Sequence, residues 1–167
     1  MKYLIIFLFT LYSGQINSQY FEYNCDKYPE LQSKTNKGSY VILEVEGSQH
    51  KLSIQLQNYF SENYLKYESL DNYDVNTFVV RSGRHDTFTP LNHTASAETY
   101  RISYKIKFEV KNNKIKITPT LYNVEVHHKK RTNICSPINI NAQTHIVHHF
   151  NYITKECKEY INNLNNW

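Results

Sequence analysis

Five of the eight histidines in this 167-residue chain fall between His127 and His149, and they are the first residues to weigh for chemistry. His145 and His149 stand four apart, His145 and His148 three apart. On a helix either spacing lets two imidazoles reach one metal ion, and the His127–His128 pair, His128 above all, could bring a third ligand. Other features weigh against that reading. His149 falls about 60° round the helix from Ile146, at the border of an apolar stripe, where a core-flanking histidine would sit. His148 points away from that stripe towards solvent. Lys129, Lys130 and Arg131 follow the histidine pair directly and would repel a dication.

Nucleophilic chemistry has less footing. The chain holds no Gly-x-Ser-x-Gly turn, no His-Glu-x-x-His and no phosphate-cradling glycine loop, and no motif calls for a cofactor. Its three cysteines, Cys25, Cys135 and Cys157, show no Cys-x-x-Cys spacing. Cys157 belongs to an apolar stripe, which predicts a buried thiol and not a reactive one. A disulfide between Cys25 and Cys135 is the favoured pairing, because Cys25 sits in a polar stretch that needs an anchor and a buried Cys157 needs no partner. Cys135 with Cys157 is the other pairing open to the chain, three free thiols are a further state open to it, and the odd count leaves at least one thiol free or paired with another chain. His85–Asp86 reads as an exposed turn, and Asn92-His93-Thr94 matches a glycosylation sequon that matters only in a eukaryotic host. Lys105, Lys107 and Lys111 form a basic strip with Arg101, read here as a solvated face. Nucleic acid is not expected as a partner.

The compartment is more legible than the chemistry. Lys2 precedes an apolar run centred on Leu4 to Phe9, and small and polar residues follow up to Ser18. That is the build of a secretory signal peptide cut near Ser18. The run is too short to cross a bilayer, and no second one follows, so no membrane span is expected. Cys25 lies too far beyond the run for lipid attachment. Cleavage leaves about 149 residues, enough for one domain, and loss of Lys2 takes the formal charge from +4 to +3. The expected product is secreted or periplasmic, in a compartment where a disulfide persists.

The elements that must position these residues follow from periodicity. Residues 19–39 read as an irregular arm, broken by Pro29 and Gly38. Tyr40 to Glu46 is β-rich, Gly47 ends it, and Ser48 can cap a helix from about Gln49 to Tyr64, with Leu52, Leu56, Tyr59, Phe60 and Asn63 on one face. Asp71 to Asn76 reads as a polar break before a strand from Thr77 to Arg81, then a turn at Ser82 to Arg84 and a loop up to Glu98. Tyr100, Ile102, Tyr104, Ile106, Phe108 and Val110 alternate with polar residues, which predicts a long strand with one buried face. Asn112–Asn113 suits a two-residue turn, and pairing Lys111 with Lys114 puts Phe108 opposite Ile117 and Tyr104 opposite Leu121. Pro119 then falls opposite Ile106, and the apolar phase shifts beyond it, which predicts a bulge near Pro119. A basic loop from His127 to Asn133, a short strand from Ile134 to Ile140 and a helix from Ala142 to Leu164 capped by Asn141 complete the chain. The expected order is β-α-β-β-β-α, an α+β domain over residues 40–167 with one antiparallel sheet and both helices on one face.

Strand one, the Gly-Ser entry to an amphipathic helix, a strand ending near Ser82–Gly83 and the Tyr-Arg-Ile-Ser-Tyr-Lys-Ile-Lys-Phe-Glu-Val hairpin together resemble an exported family, mainly from Bacteroidota. That family is known as a domain of unknown function with a TATA-binding-protein-like (TBP-like) fold. The resemblance covers about residues 40–126. It implies a curved antiparallel sheet gripping its helices, and it carries no active site across. Two functional expectations follow. One is a non-catalytic exported binding or interaction module, with an extracytoplasmic protein or glycan as partner. The alternative is a small His-based or metal-dependent hydrolase using His127/His128 and His145/His149.

Overall fold

The computed structural model describes residues 20–25, 30–63, 69–88, 100–126 and 140–165. Its organising strand is the one with the cleanest alternation. Tyr100–Lys111 and Lys114–Val126 form a long hairpin in the register expected from the Asn112–Asn113 turn, with Lys111 opposite Lys114, Phe108 opposite Ile117 and Tyr104 opposite Leu121. Asn113 takes φ 59°, the left-handed conformation that asparagine tolerates in tight turns. In chain order the strands are β1 (Phe21–Asn24), β2 (Glu30–Ser33), β3 (Val41–Glu44), β4 (Ser69–Asp74), β5 (Thr77–Phe88), β6 (Tyr100–Lys111) and β7 (Lys114–Val126); the helices are α1 (Gln49–Glu62) and α2 (Ile140–Asn165). Five strands make an antiparallel sheet in the order β3-β7-β6-β5-β4, and β1 pairs with β2 in a separate hairpin.

Pro119 explains why β3 is short. It lies opposite Ile106, at a position where its missing N–H would point away from β6, towards β3. Pairing between β3 and β7 accordingly reaches only as far as Val41 with Ile117. The phase shift expected near Pro119 occurs a little later. Ser103 faces Asn123 and Tyr104 faces Leu121, so Tyr122 is the extra residue of the bulge.

Both helices cover one face of this sheet. From the strands, Leu43, Phe78, Val80, Ile102, Tyr104, Ile106, Phe108, Val110, Ile115 and Ile117 are buried. They meet Leu52, Leu56, Tyr59 and Phe60 of α1, and Ile146, Phe150, Ile153, Cys157 and Ile161 of α2. The Phe60 ring stands edge-on to Phe108 at 4.9 Å, and Phe150 edge-on to Tyr104 at 5.0 Å, the geometry aromatic quadrupoles favour. Ser48 caps α1 by accepting from the Lys51 N–H at 3.3 Å. Gly47 holds φ +146° beside Leu52, where a β-carbon would meet the leucine side chain at 3.1 Å.

Several local expectations are corrected. The arm at residues 19–39 is not irregular: β1 and β2 pair from Phe21 with Ser33 to Asn24 with Glu30. Phe21 and Leu31 are buried, and Asn151 of α2 holds the hairpin down. Its Oδ1 accepts from the N–H groups of Tyr20 (2.7 Å) and Phe21 (2.8 Å), and its Nδ2 donates to the Phe21 carbonyl. The polar residues at 71–74 belong to β4, an edge strand whose register shifts between Asn72 and Asp74. β1 and β2 are too short, at four residues each, for their alternation to stand out in the sequence, and β4 is rich in polar residues. The strand beginning at Thr77 runs through to Phe88, shifting register between Ser82 and Asp86. Arg84, His85 and Asp86 are therefore strand residues and not a turn. Asn141 lies inside α2 and does not cap it. The signal segment, the loop at 89–98, the histidine pair at 127–128, the basic run at 129–131 and the strand expected at 134–139 fall outside the described residues. No helix among the described residues is long and apolar enough to cross a membrane.

Candidate functional site

α2 places the candidate histidines on consecutive turns but gives them different surroundings. His148 is exposed, as its angle on the helix predicts. His145 is half-buried, and its pKa is lowered, first by burial and then by the charge of His148. The imidazole of His149 packs edge-on to Tyr104 at 5.2 Å and to Phe150 at 5.5 Å, and its Nε2 shares a hydrogen bond with the Tyr104 hydroxyl at 2.9 Å. That bond satisfies a tyrosine hydroxyl on the covered side of the sheet, which is the work of a core-flanking histidine. Among the described residues no group of three or more His, Cys, Asp or Glu is poised to hold a metal. His128, the third ligand considered with His145 and His149, lies outside the described residues.

The cysteines divide cleanly. Cys157 is a free thiol with no exposed surface, and burial pushes its pKa up to about 12, so it carries almost no thiolate at neutral pH. Cys25, at the end of β1, is exposed and disulfide-bonded. Gln143, in the first turns of α2, donates to its sulfur at 3.9 Å, so that sulfur lies beside the start of the helix. Cys135, its expected partner, lies outside the described residues.

Among the described residues, the face of the sheet turned away from the helices concentrates the remaining chemistry. Alternation puts Arg81 of β5, Lys105, Lys107 and Glu109 of β6, and Lys114, Lys116, Thr118 and Thr120 of β7 on it. Arg81 donates to Asp71 at 2.9 Å, and Lys107 donates to Glu109 at 3.0 Å. Lys116 also reaches Glu109 at 3.5 Å, and Lys114 reaches Glu44 at 3.6 Å. The hydrogen bond from Lys107 is the largest cause holding the Glu109 carboxyl below its usual value. The ammonium of Lys105 stands 5.6 Å from the ring centre of Tyr122, and that of Lys116 stands 4.6 Å from Tyr40. Ile42 and Tyr122 are exposed on the same face. Val79 also belongs to this side yet is buried, flanked in register by Asp71 and Lys107. The lysine strip was legible in the sequence; Arg81, Ile42 and Tyr122 join it only through strand pairing and the bulge.

A groove of about 550 Å³ opens at one end of the sheet between Glu44, Val45, Glu46, Asn113, Asn162 and Asn165. The amides of Asn113 and Asn165 are engaged structurally. Asn113 Oδ1 accepts from the Gly47 N–H at 3.0 Å, Asn165 Nδ2 donates to the Glu46 carbonyl at 2.7 Å, and Asn165 Oδ1 accepts from Gln55 at 3.1 Å. These bonds knit the entry to α1, the β6–β7 turn and the end of α2 together.

No family model matches the chain, and no curated protein matches it. Solved structures do. A DUF4468 family protein from Bacteroides ovatus aligns with a TM-score of 0.56 at 9% identity, over 71% of this chain and 81% of that one. A TBP-like protein from Parabacteroides distasonis aligns with a TM-score of 0.52, also at 9% identity, over 74% of this chain and 91% of the other. The fold is TBP-like. Both neighbours come from Bacteroidota, as the resemblance in the sequence implies. At this identity the likeness is one of TBP-like architecture, and it carries no site or activity with it.

Proposed function

We propose that this chain is exported and serves outside the cytoplasm as a non-catalytic interaction module for an extracytoplasmic protein or glycan. The observation that carries the reading is the disulfide at Cys25, a bond that persists in oxidising compartments and agrees with the signal-like segment from Met1 to Ser18. With Cys157 free and buried, Cys135 is the remaining intrachain partner among the three cysteines. A bridge there ties the β1–β2 hairpin to the segment preceding α2, and Gln143 beside the Cys25 sulfur supports it. On the chain-entropy model, closing that loop stabilises the fold by about 4–5 kcal/mol before strain. The non-catalytic part of the reading is supported by the inert Cys157 thiol and by the hydrogen bond between His149 and Tyr104.

Two measurements test the proposal. N-terminal sequencing of protein recovered from the extracytoplasmic fraction should begin at or near Gln19, and non-reducing peptide mapping should link Cys25 to Cys135. Cytosolic protein retaining Met1 with three free thiols would overturn it. Zinc titration followed by thermal melting addresses the hydrolase alternative: a large stabilisation abolished by His145→Ala with His149→Ala would favour that reading instead.

A further inference from the structure

We propose that the open face of the sheet, centred on Arg81, Lys105 and Lys107, docks an extended acidic polypeptide segment. The inference rests on the interaction-module reading and names the partner of that module. Its starting point is the register. Arg81 lies directly opposite Lys105 across β5 and β6, and Lys107 is the next residue along the same face. Like charges directly opposite each other in an antiparallel pair destabilise the sheet, so this arrangement is one that folding alone does not favour. Lys111 opposite Lys114 repeats the pattern at the hairpin end.

Nearby carboxylates relieve part of that repulsion. Asp71 takes Arg81, Glu109 is shared by Lys107 and Lys116, and Glu44 takes Lys114. Lys105 instead lies over the Tyr122 ring, which is itself exposed. Counting Arg81, Lys105, Lys107, Lys111, Lys114 and Lys116 against Glu44, Asp71, Asp74 and Glu109 leaves this face at 6 − 4 = +2, half of the +4 that the whole chain carries. An anionic group above Lys105 and Arg81 would neutralise the charges that the sheet holds together.

Three features favour a polypeptide over a uniform polyanion. The fixed carboxylates of Glu109 and Glu44 stand among the cations and would repel an unbroken row of phosphates or sulfates, whereas a peptide can space its acids. Lys105 and Lys107 recur every second residue, about 6.6 Å apart, which is also the spacing of alternate side chains on an extended peptide laid along β6. Along β6 the face measures about 40 Å, the length of a twelve-residue extended segment. Ile42 and Tyr122 add exposed apolar surface on it.

The test uses the purified chain starting at Gln19 and a capped twelve-residue peptide alternating Glu with Ser, with a Lys-for-Glu peptide, a heparin oligosaccharide and a DNA duplex as comparisons. NMR titration should shift the amides of Arg81, Lys105, Lys107 and Thr120 with the acidic peptide, and added salt should weaken the complex. Lys105→Glu should weaken binding about tenfold or more, while Lys51→Glu on α1, on the opposite side of the sheet, should leave it unchanged. Without any ligand, Lys105→Glu should hold or raise Tm by about 1–3 °C, because it converts a like-charge pair into an opposite one. No shift with the acidic peptide, equal losses in both variants, or tighter binding of heparin or DNA than of the peptide would overturn the proposal. The assay is independent of N-terminal processing, so its failure and the failure of the export reading are separate results.

Discussion

Along β6 two sets of side chains share one backbone and live in different solvents. Tyr104, Ile106, Phe108 and Val110 are buried beneath the helices, while Ser103, Lys105, Lys107 and Glu109 remain partly open to water. The covered set meets complementary shapes: Phe60 against Phe108, Phe150 against Tyr104, and His149 on the tyrosine hydroxyl. The open set meets charges, several of them of its own sign. Packing is cooperative and dense on the first face, so the fold's stability resides there. On the second face the interactions are solvated ion pairs, each worth about 0–1 kcal/mol, so its residues are free to vary with a partner.

The sharpest way to break this comparison is to remove Phe108. Phe108→Ala should cost about 3–5 kcal/mol, read as a lower denaturation midpoint, because the cavity opens among Phe60, Phe78 and the neighbouring strands. Next comes the hairpin anchor. Asn151→Ala strips the acceptor from the N–H groups of Tyr20 and Phe21 and should cost about 1–3 kcal/mol. Faster hydrogen exchange confined to β1 and β2 would accompany that loss; an unchanged hairpin would show that it is held elsewhere.

Alkaline titration probes the covered layer through Cys157, whose folded pKa of about 12 lies above its ordinary value of 9.0 because of burial. The protonated thiol is the form the fold favours, so its contribution is fully present below pH 9 and is lost as pH rises towards 12. The slope approaches about 1.4 kcal/mol per pH unit for this one group. Tyr23 and Tyr160, both raised to about 12 with burial as the leading cause, add to the loss above pH 10. Cys157→Ala should remove the part that begins near pH 9, and an unaltered profile would mean the thiol is not the titrating group. The smallest effect belongs to the open face. Lys107→Ala should change stability by less than about 0.5 kcal/mol, as measured by equilibrium unfolding. A loss equal to that of Phe108→Ala would erase the distinction between the two faces.

What the sequence determined by itself is local and periodic. Two-residue alternation from Tyr100 to Val110 and the asparagine turn specify β6, β7 and their register, because a slip of one residue would turn every apolar side chain of the strand into water. The apolar stripes of α1 and α2, the Ser48 cap and the buried place of Cys157 were readable for the same reason: each depends on neighbours within a turn or two. The tertiary structure alone decided the rest. β1 and β2 alternate over only four residues each, too few to stand out in the sequence, and Asn151, far along the chain, supplies the bonds that hold them down. β4 is recognisable only by its pairing with β5, and Asn141 loses its capping role once α2 begins before it. The same division holds for the candidate sites. A helical spacing brings His145 and His149 to one side of α2, but the tyrosine hydroxyl that engages His149 arrives from β6. The lysines of β6 announce a charged face, yet Arg81 stands opposite Lys105 only because β5 pairs in that register. Periodicity reports which side of an element meets water, whereas long-range pairing decides which side chains meet each other.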